Sequence, residues 1–202
     1  MIEIKSITKS FGDNKIFNDF SIVIPDKAFK VFAGKSGCGK TTLLNMIGAI
    51  EFPDSGVITV NGVNIHKKSN MRKYFSEQVG FLFQNFALIE EETIEENLNY
   101  VQKKHRSGRS IDEILNSLGL LDKKNTEVYK LSGGEQQRTA LARLMYKKCD
   151  IILADEPTGS LDFENTEIVM KILHDFNNQG KTVIMVTHDE KIIYEEKDVI
   201  RL

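Results

Sequence analysis

Gly34-Lys35-Ser36-Gly37-Cys38-Gly39-Lys40-Thr41-Thr42 lies between Ala28-Phe29-Lys30-Val31-Phe32, an apolar run of strand length, and Leu43-Leu44-Asn45-Met46-Ile47, which reads as a helix. The segment from Gly34 to Thr41 fits G-x-x-x-x-G-K-[ST], a match that average residue frequencies give by chance in roughly one such chain in a hundred. The glycines let backbone N–H groups converge on phosphate oxygens, and the N-terminus of the following helix adds a favourable dipole. Gly34, Ser36, Gly37, Cys38, Gly39 and Thr42 would line that cradle. Lys40 would neutralise β- and γ-phosphate charge, and the Thr41 hydroxyl would ligate Mg²⁺. The plain alternative is a glycine-rich tight turn, which the strand–loop–helix context disfavours.

Further along, Ile151-Ile152-Leu153-Ala154 is an apolar strand that ends in two carboxylates, Asp155 and Glu156. A buried parallel strand delivers its last residues to the ligand edge of its sheet. There Asp155 can hold Mg²⁺ and Glu156 can polarise an attacking water. Ser132-Gly133-Gly134-Glu135 matches the S-x-x-E capping box of a helix start, and its two glycines also make it an anion site. Because the first loop already serves this chain's nucleotide, the second raises the question of whose phosphate it meets. His188 after strand Thr182–Thr187 and Gln84 are ambiguous taken singly.

The remaining sequence frames these motifs. With 202 residues the chain is long enough for one domain that buries roughly 70% of its unfolded surface. A net charge of −2 gives no basic footprint, so no nucleic-acid partner is expected. The two cysteines, Cys38 and Cys149, form no metal-spacing cluster and suit a reducing compartment. The start lacks the layout of a signal peptide, and no apolar run approaches the ~20 residues of a membrane helix, so any membrane role is expected to run through a partner. Strands are expected over Ile2–Ile7, Phe20–Ile24 and a hairpin turning at Asn61-Gly62. Helices are expected over Glu91–Lys104 and Ser110–Leu118, separated by a basic turn (Lys103, Lys104, His105, Arg106, Arg109) read as solvated. Helix Gly134–Lys148, strand Ile151–Asp155, helix Glu164–Asn177 and strand Thr182–Thr187 then alternate, which predicts a largely parallel sheet between helices.

In combination and order, the motifs resemble those of the ATP-binding-cassette (ABC) ATPases, the motor subunits of ABC transporters, over residues 1 to about 200. Lys40 and Thr41 match the Walker A loop, Gln84 the Q-loop, Leu131–Gln136 the signature motif, and Asp155 with Glu156 the Walker B aspartate and catalytic glutamate. Ser160-Leu161-Asp162 matches the D-loop and His188 the switch histidine. The resemblance implies an α/β P-loop NTPase fold: a mainly parallel sheet flanked by helices, an N-terminal antiparallel β subdomain, and a helical subdomain about 90–148 within a single domain, 1–202.

It also implies ATP and Mg²⁺ as ligands, with Glu156, His188 and Gln84 catalytic and with Thr41, Gln84 and Asp155 around the metal. Two copies would pack head to tail, so that Ser132, Gly133, Gly134 and Gln136 meet the other copy's ATP. A separate transmembrane permease would hold the chain at the cytoplasmic face of the membrane. Phe11 stands where the family stacks an aromatic on adenine; a core aromatic at a strand end is the competing reading.

The stretch Gly80–Ile89 with Thr93–Leu98 resembles the lipoprotein-release and macrolide/peptide-export branch, bacteriocin exporters included. Phe86, Leu88 and Ile89 are the expected apolar floor for a permease helix. Only 14 residues follow His188, which favours a minimal motor without a regulatory domain. Two other readings are a soluble ABC protein that dimerises on ATP outside transport, and a different phosphate-loop protein such as a kinase or GTPase. The latter lacks support because no guanine-reading Asn-Lys-x-Asp occurs.

Overall fold

The computed structural model describes residues 1–159 and 161–202. The chain begins with strand β1 (Ile2–Phe11) and strand β2 (Asn14–Ile24), both longer than their apolar cores suggest. Strand β3 (Phe29–Ala33) runs into the glycine loop and helix α1 (Lys40–Ile47). Strands β4 (Ser55–Val60) and β5 (Val63–Asn64) form the expected hairpin. At its turn Asn61 and Gly62 have φ of 49° and 77°, the left-handed pair that a two-residue hairpin requires.

Helix α2 (Lys68–Lys73) continues as a π-turn over Tyr74–Gln78 into strand β6 (Val79–Leu82). Helices α3 (Ile94–Asn99), α4 (Ile111–Ser117) and α5 (Gly133–Tyr146) follow. Strand β7 (Ile151–Asp155), helix α6 (Phe163–Asn178), strand β8 (Thr182–Thr187), helix α7 (Glu190–Glu195) and strand β9 (Val199–Arg201) complete the order.

Two sheets result. An antiparallel sheet has the order β2-β1-β4-β5, and a five-stranded sheet, parallel throughout, has the order β6-β7-β8-β3-β9. In β1 the inward positions are Ile2 and Ile4, then Ile7 and Lys9. The alternation slips at Ser6, whose φ is 49°, and the pairing with β4 breaks between Lys5 and Thr8. This is a β-bulge, which keeps both halves of a twisted strand facing the core.

One apolar cluster joins this sheet to α1 and one face of the parallel sheet. A second lies on the other face under α5 and α6, and a third fills the space among α3, α4 and α5. Helix α5 therefore contributes to two cores at once.

The helix expected over Glu91–Lys104 is shorter. Thr93 and Glu96 form a capping box that starts α3 at Ile94 and leaves Glu91 and Glu92 outside. The buried Asn97 amide bonds both the N–H and the carbonyl of Ile89 and anchors the preceding loop. At the far end Lys103–His105 is a separate 3₁₀ turn. The basic turn is only partly solvated: His105 is buried, and the Arg106 guanidinium lies over the Tyr146 ring and donates to Val101 and Asn99.

Strand β6 has a weak sequence signal because Gly80 interrupts it, for a packing reason. A Cβ at Gly80 would lie 2.4 Å from Leu144 Cδ1 and 2.9 Å from Cys149 Sγ, so only glycine lets α5 close on the sheet.

Candidate nucleotide site

Because strands β3, β6, β7 and β8 are parallel neighbours, their C-terminal ends meet at one edge of the sheet. That edge receives the phosphate loop after β3, Gln84 after β6, Glu156 after β7 and His188 after β8. Phe11, Ser36, Gly37, Gly39, Lys40, Thr41, Thr42, Gln84, Glu156 and His188 line a single cleft of about 360 Å³ there. Residues scattered from 11 to 188 thus converge, and the topology is the cause.

The loop needs its glycines. Gly39 has φ of 100°, and a Cβ on it would sit 2.3 Å from Ile16 Cγ2. A Cβ on Gly34 would sit 2.6 Å from Cys38 Sγ, so the thiol packs directly over that glycine. Alkylating Cys38, which is half-buried, forces bulk into the loop. N-ethylmaleimide is expected to abolish nucleotide binding, and MgATP to protect the thiol; full ATPase activity after complete modification would refute this.

Lys40 is 6% exposed at the start of α1, and its Nζ donates to the carbonyls of Gly34 at 2.8 Å and Lys35 at 3.1 Å. The same Nζ stands 3.5 Å from Glu156 Oε1. The other carboxylate oxygen, Oε2, lies 2.9 Å from His188 Nδ1 and accepts the His188 backbone N–H at 3.2 Å. Glu156 is thereby strung between a cation and an imidazole. Its own φ is 44°, a left-handed conformation in a non-glycine residue, and its N–H donates to Val186 O. Strain of this kind costs on the order of 1–3 kcal/mol and persists where surrounding bonds fix it.

Next to it, Asp155 accepts a 3.0 Å hydrogen bond from the Thr41 hydroxyl. Burial pushes the Asp155 carboxyl up from its ordinary range. Glu156 acts in the same direction, while Thr41 and Lys40 oppose it. Asp155 does not itself line the cleft, but it is bonded to Thr41, which does so together with Gln84; carboxylate, hydroxyl and amide make a hard-oxygen donor set that fits Mg²⁺.

Phe11 is 51% exposed at the rim of the cleft, and Lys9 Nζ sits 4.9 Å from its ring centre. The core-aromatic reading of Phe11 therefore does not hold: the ring is exposed on the wall of the cleft that the phosphate loop also lines.

Ser132, Gly133, Gly134 and Gln136 do not line this cleft. Ser132 caps α5, accepting from Glu135 N–H while the Glu135 carboxylate accepts from Ser132 N–H. Gly133 is exposed, and a Cβ there would meet nothing within 4 Å. Gly134 is crowded instead: a Cβ on it would sit 2.8 Å from Asn165 Nδ2 on α6. In the single chain Gln136 Nε2 donates to the carbonyls of Val128 and Leu131, so its side chain braces the loop behind the cap. In the D-loop stretch Asp162 caps α6 by accepting from Asn165 N–H, and Ser160 lies outside the described residues.

The sequence profile described as "ABC transporter" matches residues 17–159. The chain belongs to the ABC transporter family, as its ATP-binding domain. The ABC domain is 38% identical over its whole length to the macrolide export ATP-binding/permease protein MacB of Campylobacter jejuni, of which it covers 33%. It is 37% identical to the lipoprotein-releasing system ATP-binding protein LolD of Bacteroides fragilis, covering 93% of that protein with 95% of its own length. The chain thus spans about a third of the macrolide-export relatives and nearly all of the lipoprotein-releasing one. Among solved structures it resembles the ATP-binding cassette MJ0796 in a dimeric post-hydrolysis state bound to ADP and Pi. There the TM-score is 0.88 at 32% identity, covering 100% of this chain and 94% of that one. The P-loop NTPase fold of the ABC ATPases follows from that likeness.

The geometry also adds residues that the motifs of the ABC domain leave out. Gln137 is buried and donates to Pro157 O at 2.7 Å, tying α5 to the segment just after Glu156. Arg143 and Asn165 make comparable ties, and no local sequence signal marks any of the three.

Proposed function

We propose that this chain is the ATP-hydrolysing subunit of an ABC transporter, a single ABC domain across 1–202 that works as a head-to-tail pair on a separate membrane permease. The observation that carries the reading is the Glu156 carboxylate, held between Lys40 and His188 at the mouth of the phosphate loop. ATP enters with its phosphates over the N-terminus of α1, where Lys40 exchanges loop carbonyls and Glu156 for phosphate oxygens. Thr41, Asp155 and Gln84 would hold Mg²⁺, which when bound neutralises phosphate charge. Glu156 takes the proton of the water that attacks the γ-phosphorus, and ADP leaves as the bond to its β-phosphate oxygen breaks. His188 fixes the Glu156 carboxylate through Nδ1. Phe11 offers its open face to the base.

The exposed Ser132 and Gly133, away from the chain's own cleft, support a role on the second copy's ATP. The dimeric state of MJ0796 bound to ADP and Pi supports a paired arrangement here. No helix among the described residues is long and apolar enough to cross a membrane, which fits a subunit held at the cytoplasmic face by its permease.

The permease would dock in a second cleft, of about 440 Å³, beside the Gln84 loop. Its apolar wall is Phe81 stacked on Phe83 at 4.9 Å, with Phe75, Ala87, Tyr100 and Val101. Of the expected floor residues, Phe86 and Leu88 are half-buried against the second and third cores, and Ile89 is exposed beside that cleft without lining it. Relatives named for macrolide export and lipoprotein release support a drug or lipoprotein as the cargo; a peptide, bacteriocins included, rests on the resemblance of Gly80–Ile89 and Thr93–Leu98 alone.

The test is a pulldown of tagged Glu156→Gln with MgATP from detergent-solubilised membranes of the native cell. A co-purifying polytopic membrane protein, absent from the mock, is the expected result. Soluble protein or RNA alone would overturn the transporter reading in favour of a soluble ATPase that dimerises on ATP.

A further inference from the structure

Away from the phosphate cleft, Arg143 is a half-buried cation on the wall of the second cleft, with a backbone target. It sits in the last turn of α5, and its guanidinium donates to the Phe86 carbonyl at 2.9 Å and to the Ala87 carbonyl. No carboxylate pairs with it among the described residues, and burial pushes it down from its ordinary value. Its targets are unusual. Phe86 and Ala87 have φ of 61° and 48°, two successive non-glycine residues in the left-handed region. They close the turn that carries Gln84, with Phe86 N–H donating to Phe83 O at 3.0 Å and Ala87 N–H to Asn85 O at 2.6 Å. A planar guanidinium presents two parallel donors to two carbonyls at once, whereas a lysine ammonium offers a point charge.

We propose that Arg143 is a positioning residue that holds the Gln84 loop in its strained form and ties its place to helix α5. The consequence lies in what else α5 carries. Its first residues follow the Ser132 cap, and Gln137 in its second turn bonds the segment after Glu156. Arg143 in its last turn grips the loop whose Ala87 borders the apolar docking cleft. Arg143 thereby joins the Gln84 loop to a helix that begins at the signature motif. This inference rests on the ATPase reading above.

The experiment measures ATP turnover by the purified chain for the parent, Arg143→Ala and Arg143→Lys, each with and without Ala87→Gly. Arg143→Ala is expected to lower kcat about tenfold with KM for ATP within about twofold, because the loop is displaced while the phosphate cradle is untouched. Ala87→Gly is expected to restore kcat to within about threefold, since glycine adopts the left-handed conformation without a clamp. A residue that only packed the subdomains would change the unfolding temperature and gain nothing from that glycine. If Arg143→Ala does not fold, the Arg143→Lys pair decides by the same comparison. An active parent with unchanged kcat in the Arg143 variants, or a loss that Ala87→Gly leaves unrepaired, would overturn the inference alone. A parent without ATP turnover would overturn the ATPase reading and this inference with it.

Discussion

Replacing Glu156 by glutamine is expected to lower ATP turnover by about 10²- to 10⁴-fold, the usual contribution of a positioned proton acceptor, while ATP still binds. The amide has the shape of the carboxylate and can accept the same N–H from His188, so the site keeps its geometry. What it loses is the negative charge and the basicity. Loss of charge has two local effects: Lys40, 3.5 Å away, is released from an ion pair and is freer for phosphate, and one of the influences raising the Asp155 carboxyl disappears. Both favour ATP, so binding is expected to hold or tighten, and with hydrolysis blocked the ATP-bound pair accumulates. Light scattering with MgATP is expected to report twice the monomer mass for Glu156→Gln and the monomer mass without nucleotide. Parent-like hydrolysis would remove Glu156 from its catalytic role.

Lys40→Ala is the second large effect, and it acts on binding. The substitution deletes the one side-chain cation in the cleft that reaches Glu156, and so leaves that carboxylate uncompensated where ATP must bring further negative charge. Charge-assisted hydrogen bonds contribute roughly 1.5–3 kcal/mol each, which corresponds to a loss of about 10- to 100-fold in ATP affinity. The fold should survive, since among the described residues the Lys40 amine contacts two loop carbonyls and Glu156. The readout is thermal: ATP should raise the unfolding temperature of the parent and barely move that of Lys40→Ala. Equal shifts would refute the assignment.

The site was largely legible in the sequence because phosphate chemistry demands particular residue types at particular spacings. Glycines at 34, 37 and 39, a lysine before a hydroxyl, and carboxylates at a strand end can be read without knowing how the chain folds. Strands Ile151–Asp155 and Thr182–Thr187 were equally plain, being apolar runs buried on both faces. Illegible features depend on partners distant in sequence. Strand β6 hides behind Gly80, which exists to admit Leu144. Strand β9, three residues long, is held by pairing with β3. Gln136 reads as an outward member of its motif until the carbonyls of Val128 and Leu131 are found within reach of its amide. Arg143 is one of many arginines until Phe86 and Ala87 appear against it.

The exposure of Gly133 has a genetic consequence. Around it a lone chain offers only empty space, so a side chain there would disturb neither folding nor the chain's own phosphate loop. In the proposed head-to-tail pair the damage would fall on the companion copy, whose ATP would face that surface. A cell making equal amounts of an altered and an unaltered chain would assemble mostly pairs with at least one blocked seat. Such an allele would behave as a dominant poison while looking healthy in any assay performed on the single chain.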